Sequence, residues 1–338
     1  MNQSDLEKYD SQKIYAIYDI WPKIALDSFE SKQQKVNFEN INHIIFAGMG
    51  GSGAIGDVFS SILSKSKIHV NVVKGYVLPK TVDSKSLVIV TSVSGDTTEA
   101  LSILKSAHNL GSHVIVFSSG GKTIEYCEKN KITYVIIPQH HSPRASFTSY
   151  LYTMLNVLHS TLKIEKEDIL ESIRELESLG KKINSDNLTE DNPALSLAKW
   201  ITGIPMIYYP FGLQSAANRF KNSLQENSKI HVFAEDVIEA CHNGIVAWEK
   251  KSNVQPILIE GKDDHIKTKE RWNVLKEFFE QNNIEFREIY SIEGSILTKI
   301  INLIYLLDYS TIYKAVLDKI DPSPVASIDF IKDKIKKS

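Results

Sequence analysis

Residues 43–53 have the sequence HIIFAGMGGSG, and this stretch sets the class of fold. The apolar, β-branched run His43–Phe46 predicts a buried strand. The glycines that follow it predict a tight turn, and the apolar spacing within Gly48–Leu63 predicts a helix. A strand, a glycine turn and a helix make one βα unit, which is the building block of an α/β fold.

The same alternation of short apolar runs and helical stretches continues outward from this unit. Further strands are predicted at Ile68–Val73, Leu87–Thr91, Val114–Phe117 and Thr133–Ile137, with helices from Thr97 and over Thr123–Asn130. Five strands separated by helices predict a parallel sheet covered on both faces. After this sheet, the apolar spacing of Arg144–Leu162 predicts a long helix.

A second alternation follows the polar segment 163–191. Strands are predicted at Met206–Tyr209, Val232–Ala234, Ile257–Glu260 and Phe286–Tyr290, and helices over Gln214–Gln225 and Asp264–Asn282. The chain has 338 residues, about twice the length of a typical domain. We therefore predict an α/β protein of two domains, residues 1–159 and 160–338, each with a mostly parallel sheet flanked by helices in three layers.

Composition and charge indicate the cellular compartment and the partners to expect. Apolar residues make up 42% and charged residues 24%, the balance of a globular protein with a sizeable core. The net charge of −2 gives no general attraction to nucleic acid or to an anionic membrane. Two cysteines fit a reducing compartment, and the N-terminal stretch lacks the apolar core of a secretory signal. We expect a cytoplasmic protein that binds neither nucleic acid nor membrane.

The glycine turn also has the spacing of a dinucleotide-binding fingerprint. Such a site needs an acidic residue at the end of the second strand, where this chain has Lys74. Because a lysine favours a ribose phosphate, an NADP oxidoreductase remains an alternative, but we expect no cofactor. Gly50 and Gly51 let the backbone approach a polar ligand, and Ser52 offers a hydroxyl at a helix N-terminus.

A second loop, SVSGDTTE at residues 92–99, follows the third predicted strand. Its hydroxyl side chains are Ser92, Ser94, Thr97 and Thr98. Hydroxyls, free amides and a helix dipole together favour a phosphate group without any lysine. The alternative is ordinary helix capping by Ser94 or Thr97, which needs only one such residue. Both loops follow parallel strands at their carboxyl ends, so we expect them to serve one ligand.

Five segments, in their order along the chain, resemble the bifunctional phosphoglucose/phosphomannose isomerase family, a branch of the phosphoglucose isomerase superfamily. They are GMGGSG at 48–53, SVSGDT at 92–97, PRA at 143–145, QEN at 225–227 and HN at 242–243. The resemblance implies two sugar-isomerase-type (SIS) domains, a homodimer with shared active sites, and interconversion of glucose 6-phosphate or mannose 6-phosphate with fructose 6-phosphate. Because regulators without catalytic activity also carry such domains, a phosphosugar sensor remains an alternative.

The resemblance also assigns roles to individual residues. It implies that the substrate phosphate is held by Ser52, Ser92, Ser94 and Thr97. Arg144 would face the reacting carbons, Glu226 would be the base, and His242, given by the partner subunit, would open the sugar ring. A lysine near the C-terminus contributes in this family, and the best match among Lys332, Lys334, Lys336 and Lys337 is Lys332. Asp96 departs from the family pattern, and its charge must point away from the phosphate.

The chemistry of the implied reaction suits these residue types. Aldose–ketose isomerisation moves a proton between C2 and C1 through an enediol, so one carboxylate can carry it. Glu226 is predicted at the end of an amphipathic helix; the alternative is a surface glutamate. Arg144 suits a negative enediolate, with a domain-docking ion pair as the alternative. His242 suits ring opening because a histidine can both give and accept a proton, and its alternative is a capping or core histidine.

His140 and His141 are the one pair of residues that resembles a metal site. Adjacent side chains on a strand point to opposite faces, and no Glu or Cys stands at ligand spacing. We therefore expect two loop histidines, no metal, and a small sugar phosphate as the ligand.

Overall fold

The computed structural model describes residues 1–335 of the chain. Two of the candidate C-terminal lysines, Lys336 and Lys337, therefore lie outside the described residues. The chain begins with three helices, α1 (Gln3–Tyr9), α2 (Ile14–Asp19) and α3 (Trp21–Glu30). They precede the first strand and pack against the core that lies behind the first sheet.

The first sheet is formed by five strands, β1 (His43–Ala47), β2 (His69–Val73), β3 (Ser86–Ser92), β4 (His113–Ser118) and β5 (Thr133–Ile136). All neighbouring strands are parallel, in the order β2-β1-β3-β4-β5. The helices between them are α4 (Gly51–Ile62), α5 (Thr98–Asn109) and α6 (Gly121–Asn130). This sheet confirms the prediction, and each strand end lies within one residue of its predicted position.

Burial of both sheet faces explains why these strands are continuous apolar runs. Ile44 and Phe46 face one core cluster, whereas Ile45 and Ala47 face another on the opposite side. Successive side chains of a strand point to opposite faces, so a sheet covered on both sides needs apolar residues at every position.

The second half of the chain begins with α7 (Phe147–Leu162), α8 (Lys166–Ile183) and α9 (Pro193–Trp200). Its sheet has four parallel strands, β6 (Ile204–Tyr209), β7 (Phe233–Asp236), β8 (Val254–Glu260) and β9 (Arg287–Tyr290), in the order β7-β6-β8-β9. The remaining helices are α10 (Gln214–Ser223), α11 (Val237–Ala240), α12 (Ile266–Gln281), α13 (Ile296–Leu317) and α14 (Ala326–Ile335). The predicted α/β class with two parallel sheets is confirmed.

One continuous core joins the two sheets. It runs from Ile44 in β1 through α7, α8 and α13 to Ile257 in β8. The predicted domain boundary between residues 159 and 160 falls inside α7 and stays a prediction. Helix α13 is long and apolar enough to cross a membrane by length and composition, but 89% of its apolar window is buried inside the protein. It is placed as the central helix of this core.

Two local predictions about candidate residues are wrong. Arg144 does not begin a helix, because α7 starts at Phe147 and Arg144 lies in the turn before it. The helix predicted to run to Gln225 ends at Ser223 and continues as a single π turn over Leu224–Ser228, which contains Glu226. In both places, backbone or side-chain groups form hydrogen bonds with residues far away in the sequence, and the chain does not follow a regular α-helix there.

Candidate active site

The two glycine-containing loops lie side by side at the carboxyl edge of the first sheet. Strands β1 and β3 are paired through Ala47 and Val90, close to the start of each loop. A side chain added at Gly48 would place its Cβ 3.0 Å from the Thr91 carbonyl oxygen and 2.9 Å from the Ser52 Cβ. The first loop therefore touches the end of β3, and Ser52 is buried there.

The hydroxyl loop is organised around Ser92, which is buried. Ser92 Oγ donates to Thr97 Oγ1 at 3.1 Å and accepts from the Gly95 N–H at 3.1 Å. Ser94 is exposed beside them, and Gly95 has φ +75°, which favours glycine. The structure thus gathers Ser92, Ser94 and Thr97 at the start of α5.

Neither helix that begins at these loops is capped by a side chain. The N-cap residues are Gly50 for α4 and Thr97 for α5, and neither makes a side-chain capping hydrogen bond. The capping alternative is therefore wrong for Thr97, whose hydroxyl accepts from Ser92 instead. At the start of α4 the Ser52 and Gly53 N–H groups bind the Met49 carbonyl oxygen, whereas the first N–H groups of α5 have no partner within residues 1–335. The start of α5 is therefore suited to an anion.

The Asp96 side chain points to the neighbouring helix, α6. Its Oδ1 accepts a hydrogen bond from the Lys122 N–H, in the first turn of α6, at 3.2 Å. The negative charge of Asp96, which departs from the family pattern, is therefore stabilised by the N-terminus of α6.

The Arg144 guanidinium is buried, with 6% of its side chain exposed, and is held on three sides. Nε donates to Asn227 Oδ1 at 2.7 Å, while Nη2 donates to the carbonyl oxygens of Pro322 at 2.8 Å and Ser323 at 2.9 Å. Nη1 faces Glu226 Oε2 at 3.4 Å. The one loosely occupied side of the cation is the side that faces the candidate base.

The turn that carries Arg144 packs against the first glycine loop. A Cβ on Gly51 would lie 3.2 Å from the Pro143 carbonyl oxygen and 3.5 Å from the Arg144 Cα. The Arg144 backbone is therefore in contact with the same loop that presents Ser52. Glu226, Arg144 and the candidate phosphate loops form one contiguous group.

Glu226 keeps 28% of its side chain exposed, although both residues that follow it are buried. Asn227 Nδ2 donates to Thr311 Oγ1 at 2.8 Å, and Ser228 Oγ donates to the Thr311 carbonyl oxygen at 2.8 Å. These bonds anchor the π turn to α13. The surface-glutamate alternative is therefore wrong, because this carboxylate stands on a fixed turn beside a buried arginine.

Two buried residues that the sequence analysis missed support this site. Arg219 on α10 is paired with Asp308 on α13 at 2.6 Å, with side chains 3% and 0% exposed. Arg219 Nη2 also donates to the Arg144 carbonyl oxygen at 2.9 Å. Both residues had a sequence signal: Arg219 lies within the apolar stripe of a helix, and Asp308 is an acid within the long apolar run of α13.

The structure does not bring His242 or Lys332 to this group. His242 lies exposed in the turn after α11, and its side chain makes no hydrogen bond or ion pair within residues 1–335. It neither caps a helix nor lies in the core, so that alternative is wrong, and the chain continues as a 3₁₀ helix over Gly244–Glu249. Lys332 is exposed on α14. The roles of both remain predictions.

His140 and His141 lie in the loop between β5 and α7, as expected. Burial lowers the pKa of both side chains, and the Arg144 charge further lowers the pKa of His141. The His141 ring instead contacts Ser323 Oγ through Nε2 at 3.3 Å. Within the part of the chain that the structure describes, no three His, Cys, Asp or Glu side chains are grouped as metal ligands would be.

Two parallel sheets, with a hydroxyl loop at a strand end and a carboxylate beside it, define a protein of two SIS domains. The SIS domain model matches residues 37–163, and the model for the bacterial phospho-glucose isomerase C-terminal SIS domain matches residues 190–335. The bifunctional phosphoglucose/phosphomannose isomerase of Caldicellulosiruptor bescii is 32% identical over 334 residues, covering 96% of each chain. The chain belongs to the bifunctional phosphoglucose/phosphomannose isomerase family.

A relative with another name and a solved structure complete the comparison. The D-glucosamine-6-phosphate 4-epimerase of Sulfolobus acidocaldarius is 30% identical over 250 residues, covering 72% of this chain and 76% of its own. The crystal structure of a hypothetical protein from Thermus thermophilus superposes with a TM-score of 0.72 at 12% identity, covering 99% of this chain and 89% of its own. That likeness shows the fold alone.

Proposed function

We propose that this sugar-phosphate isomerase interconverts glucose 6-phosphate, mannose 6-phosphate or both with fructose 6-phosphate by proton transfer through an enediol. Family membership supports the activity class. One observation carries the residue assignment: the Arg144 turn contacts Gly51 of the glycine loop, and its guanidinium faces the Glu226 carboxylate at 3.4 Å. Phosphate loop, cation and base are thereby adjacent.

The substrate phosphate binds at the two uncapped helix N-termini. Ser52, Ser92, Ser94 and Thr97 supply hydroxyls, and the free N–H groups at the start of α5 supply further donors. Phosphate is attracted to helix N-termini because their N–H groups and dipole are positive. This anchor leaves the reacting carbons to extend toward Arg144 and Glu226.

Glu226 takes the proton from C2 of the open-chain aldose and returns it to C1 of the enediol. In the reverse direction the same carboxylate removes the C1 proton of the ketose. Negative charge develops on the enediolate oxygens, and Arg144 Nη1, which faces the site, stabilises it. Because glucose and mannose 6-phosphate differ only at C2, both lead to the same enediol.

Ring opening precedes this step, and we assign it to His242 of the partner subunit. The exposure of the His242 side chain supports this assignment, because a residue given to a neighbouring subunit is exposed in a single chain. The active form is then a homodimer with shared sites, and Lys332 on the exposed α14 adds a further cation near the substrate. Neither cofactor nor metal takes part in this scheme.

The assay is steady-state conversion of fructose 6-phosphate to each aldose with a chelator present. We expect Glu226→Gln to lose roughly 10²-fold or more in kcat, because the amide cannot accept the proton. Glu177→Gln, the same change at an exposed position on α8, should keep wild-type activity. Turnover that survives in Glu226→Gln would mean that another group is the base. Binding without turnover in the wild type would favour the sensor alternative.

Mixed dimers test the shared site. Glu226→Gln and His242→Ala are each expected to be inactive, yet a heterodimer of the two has one site with neither change if the histidine comes from the partner. Mixing the two variants after reversible dissociation should then restore activity. Mixtures that stay inactive, with heterodimers shown by mass, would place both residues in the same subunit.

The 4-epimerase relative favours a second substrate to test, glucosamine 6-phosphate. The same wild-type protein is incubated with it, and the products are resolved by NMR. Epimerisation at C4 in the absence of any fructose 6-phosphate conversion would replace the isomerase proposal.

A further inference from the structure

Residues 321–324, Asp-Pro-Ser-Pro, form a short irregular segment between α13 and α14, which we name the C-terminal strap. Pro322 and Pro324 have no N–H group, and each also restricts the residue before it to extended backbone. The strap is thus stiff and rich in carbonyl acceptors. Pro322 and Ser323 are buried although α14 beyond them is exposed.

Two cations occupy the strap carbonyls. Arg144 Nη2 binds the oxygens of Pro322 and Ser323, at 2.8 and 2.9 Å. Lys229 Nζ binds the oxygens of Pro324 at 2.8 Å and Pro322 at 3.3 Å. A hydrogen bond with a charged donor is shorter and stronger than a neutral one, so the four contacts hold the strap firmly.

Lys229 also connects the strap to the candidate base. It follows the π turn in the left-handed region, with φ +58°, and its Nζ donates back to the Glu226 carbonyl oxygen. One ammonium group therefore joins Glu226 to the strap, while the strap joins to Arg144. Burial lowers the pKa of Lys229, and the neighbouring Arg144 charge adds to the shift.

The opposite side of the strap is held by the first part of the chain. Ser323 Oγ donates to Asp10 Oδ1 at 3.3 Å and contacts His141 Nε2 at 3.3 Å. Asp10 is fully buried and accepts the Tyr15 N–H at 2.9 Å. Asp10 thus holds one side of the strap, while Arg144 and Lys229 hold the other.

We propose that Lys229 is a positioning residue for the isomerisation. It clamps the strap to the Glu226 turn, and the strap fixes the plane of the Arg144 guanidinium so that Nη1 faces the reacting carbons. The inference rests on the proposed function and adds a residue to it. Lys229 itself touches no reacting atom, and its effect is transmitted through Arg144 and Glu226.

The test compares Lys229→Met, Lys229→Arg and the control Lys221→Met. Lys221 lies on α10 and its side chain makes no hydrogen bond within residues 1–335. Misplacement of a catalytic group by about 1 Å can cost roughly 10²-fold, so we expect Lys229→Met to lose about 10- to 100-fold in kcat. Its KM should stay near the wild-type value, because the phosphate loops are unchanged. Lys229→Arg keeps the donors and should recover most of the kcat.

Several results would overturn this inference. Wild-type kcat in Lys229→Met would show that the clamp is not needed. A raised KM or a lowered melting temperature with kcat retained would show a merely structural role, as would an equal loss in Lys221→Met. A folded Lys229→Arg as slow as Lys229→Met would exclude the donor requirement. An inactive wild type, by contrast, would refute the proposed function itself, so the two failures are distinguishable.

Discussion

Replacing Asp308 by asparagine tests how strongly the buried Arg219–Asp308 pair stabilises the protein. Asp308 Oδ2 accepts from Arg219 Nε at 2.8 Å, and Oδ1 accepts from Ser223 Oγ at 2.7 Å. Burial raises the pKa of Asp308, and the Arg219 charge opposes that shift. The asparagine keeps the shape but removes the charge, which leaves the Arg219 guanidinium buried without a counterion.

The expected cost follows from burial. Removing one member of a buried ion pair costs about 3–5 kcal/mol, because the remaining charge stays desolvated. Lys23 and Asp27 form a pair at 2.8 Å on α3, but their side chains are 71% and 60% exposed. A helix pair of that kind contributes only about 0.3–0.5 kcal/mol. The two ion pairs have similar N–O distances, so the roughly tenfold difference in free energy comes from the exposure of one pair to solvent and the burial of the other.

Urea unfolding at neutral pH measures both free energies. We expect Asp308→Asn to lose about 3–5 kcal/mol and Asp27→Asn less than about 0.5 kcal/mol. The double variant Arg219→Met with Asp308→Leu should be more stable than Asp308→Asn, because no unpaired charge remains. If Asp308→Asn and Asp27→Asn cost the same, the argument from burial is refuted.

Two further outcomes are expected. A Cβ at Gly95 would run into the Gly120 carbonyl oxygen, whereas Gly111, at φ +69°, has open space around it. Gly95→Ala should therefore raise KM for fructose 6-phosphate steeply, while Gly111→Ala costs only about 1 kcal/mol of backbone strain in urea unfolding and leaves KM unchanged. Burial raises the pKa of Glu260 from 4.5 to about 7 against the opposing charge of Lys276. Folding then takes up a proton, so the free energy of unfolding should fall as the pH rises from about 4.5 to 7. Glu260→Gln should flatten that pH dependence in urea titrations.

The first sheet was predictable because its strands are short, uninterrupted and bounded by glycine loops. The second sheet was less predictable, since β8 begins at Val254, three residues before the predicted strand. Pro256 within it lacks an N–H and argues against a central strand from sequence alone. Its pairing with Met206 is fixed by the sheet around it.

The candidate site likewise has one part that the sequence predicted and another that it did not. The loop serines, Arg144 and Glu226 were found because segments of the sequence resemble a family, and local hydroxyl and glycine patterns supported the loops. The turn geometry was not predictable, because it depends on groups far away in sequence. Arg219 and Trp21 bind the carbonyl oxygens of Arg144 and Ala145, at 2.9 Å each, which ends any helix before Phe147. Lys229 gave no sequence signal, because its partners are backbone carbonyls.

Helix α13 is the last long helix in the sequence, yet it lies at the centre of the shared core. Tyr305 donates to the Tyr18 carbonyl oxygen at 2.7 Å, and Tyr313 donates to that of Ile183 at 2.7 Å. During synthesis on the ribosome, the helices of the first half therefore emerge with an apolar face that has no cover until residues 296–317 follow. Released chains that end before residue 296 should be cut by protease far faster than chains that end beyond residue 317. The core of the first half therefore cannot close before α13 has been synthesised.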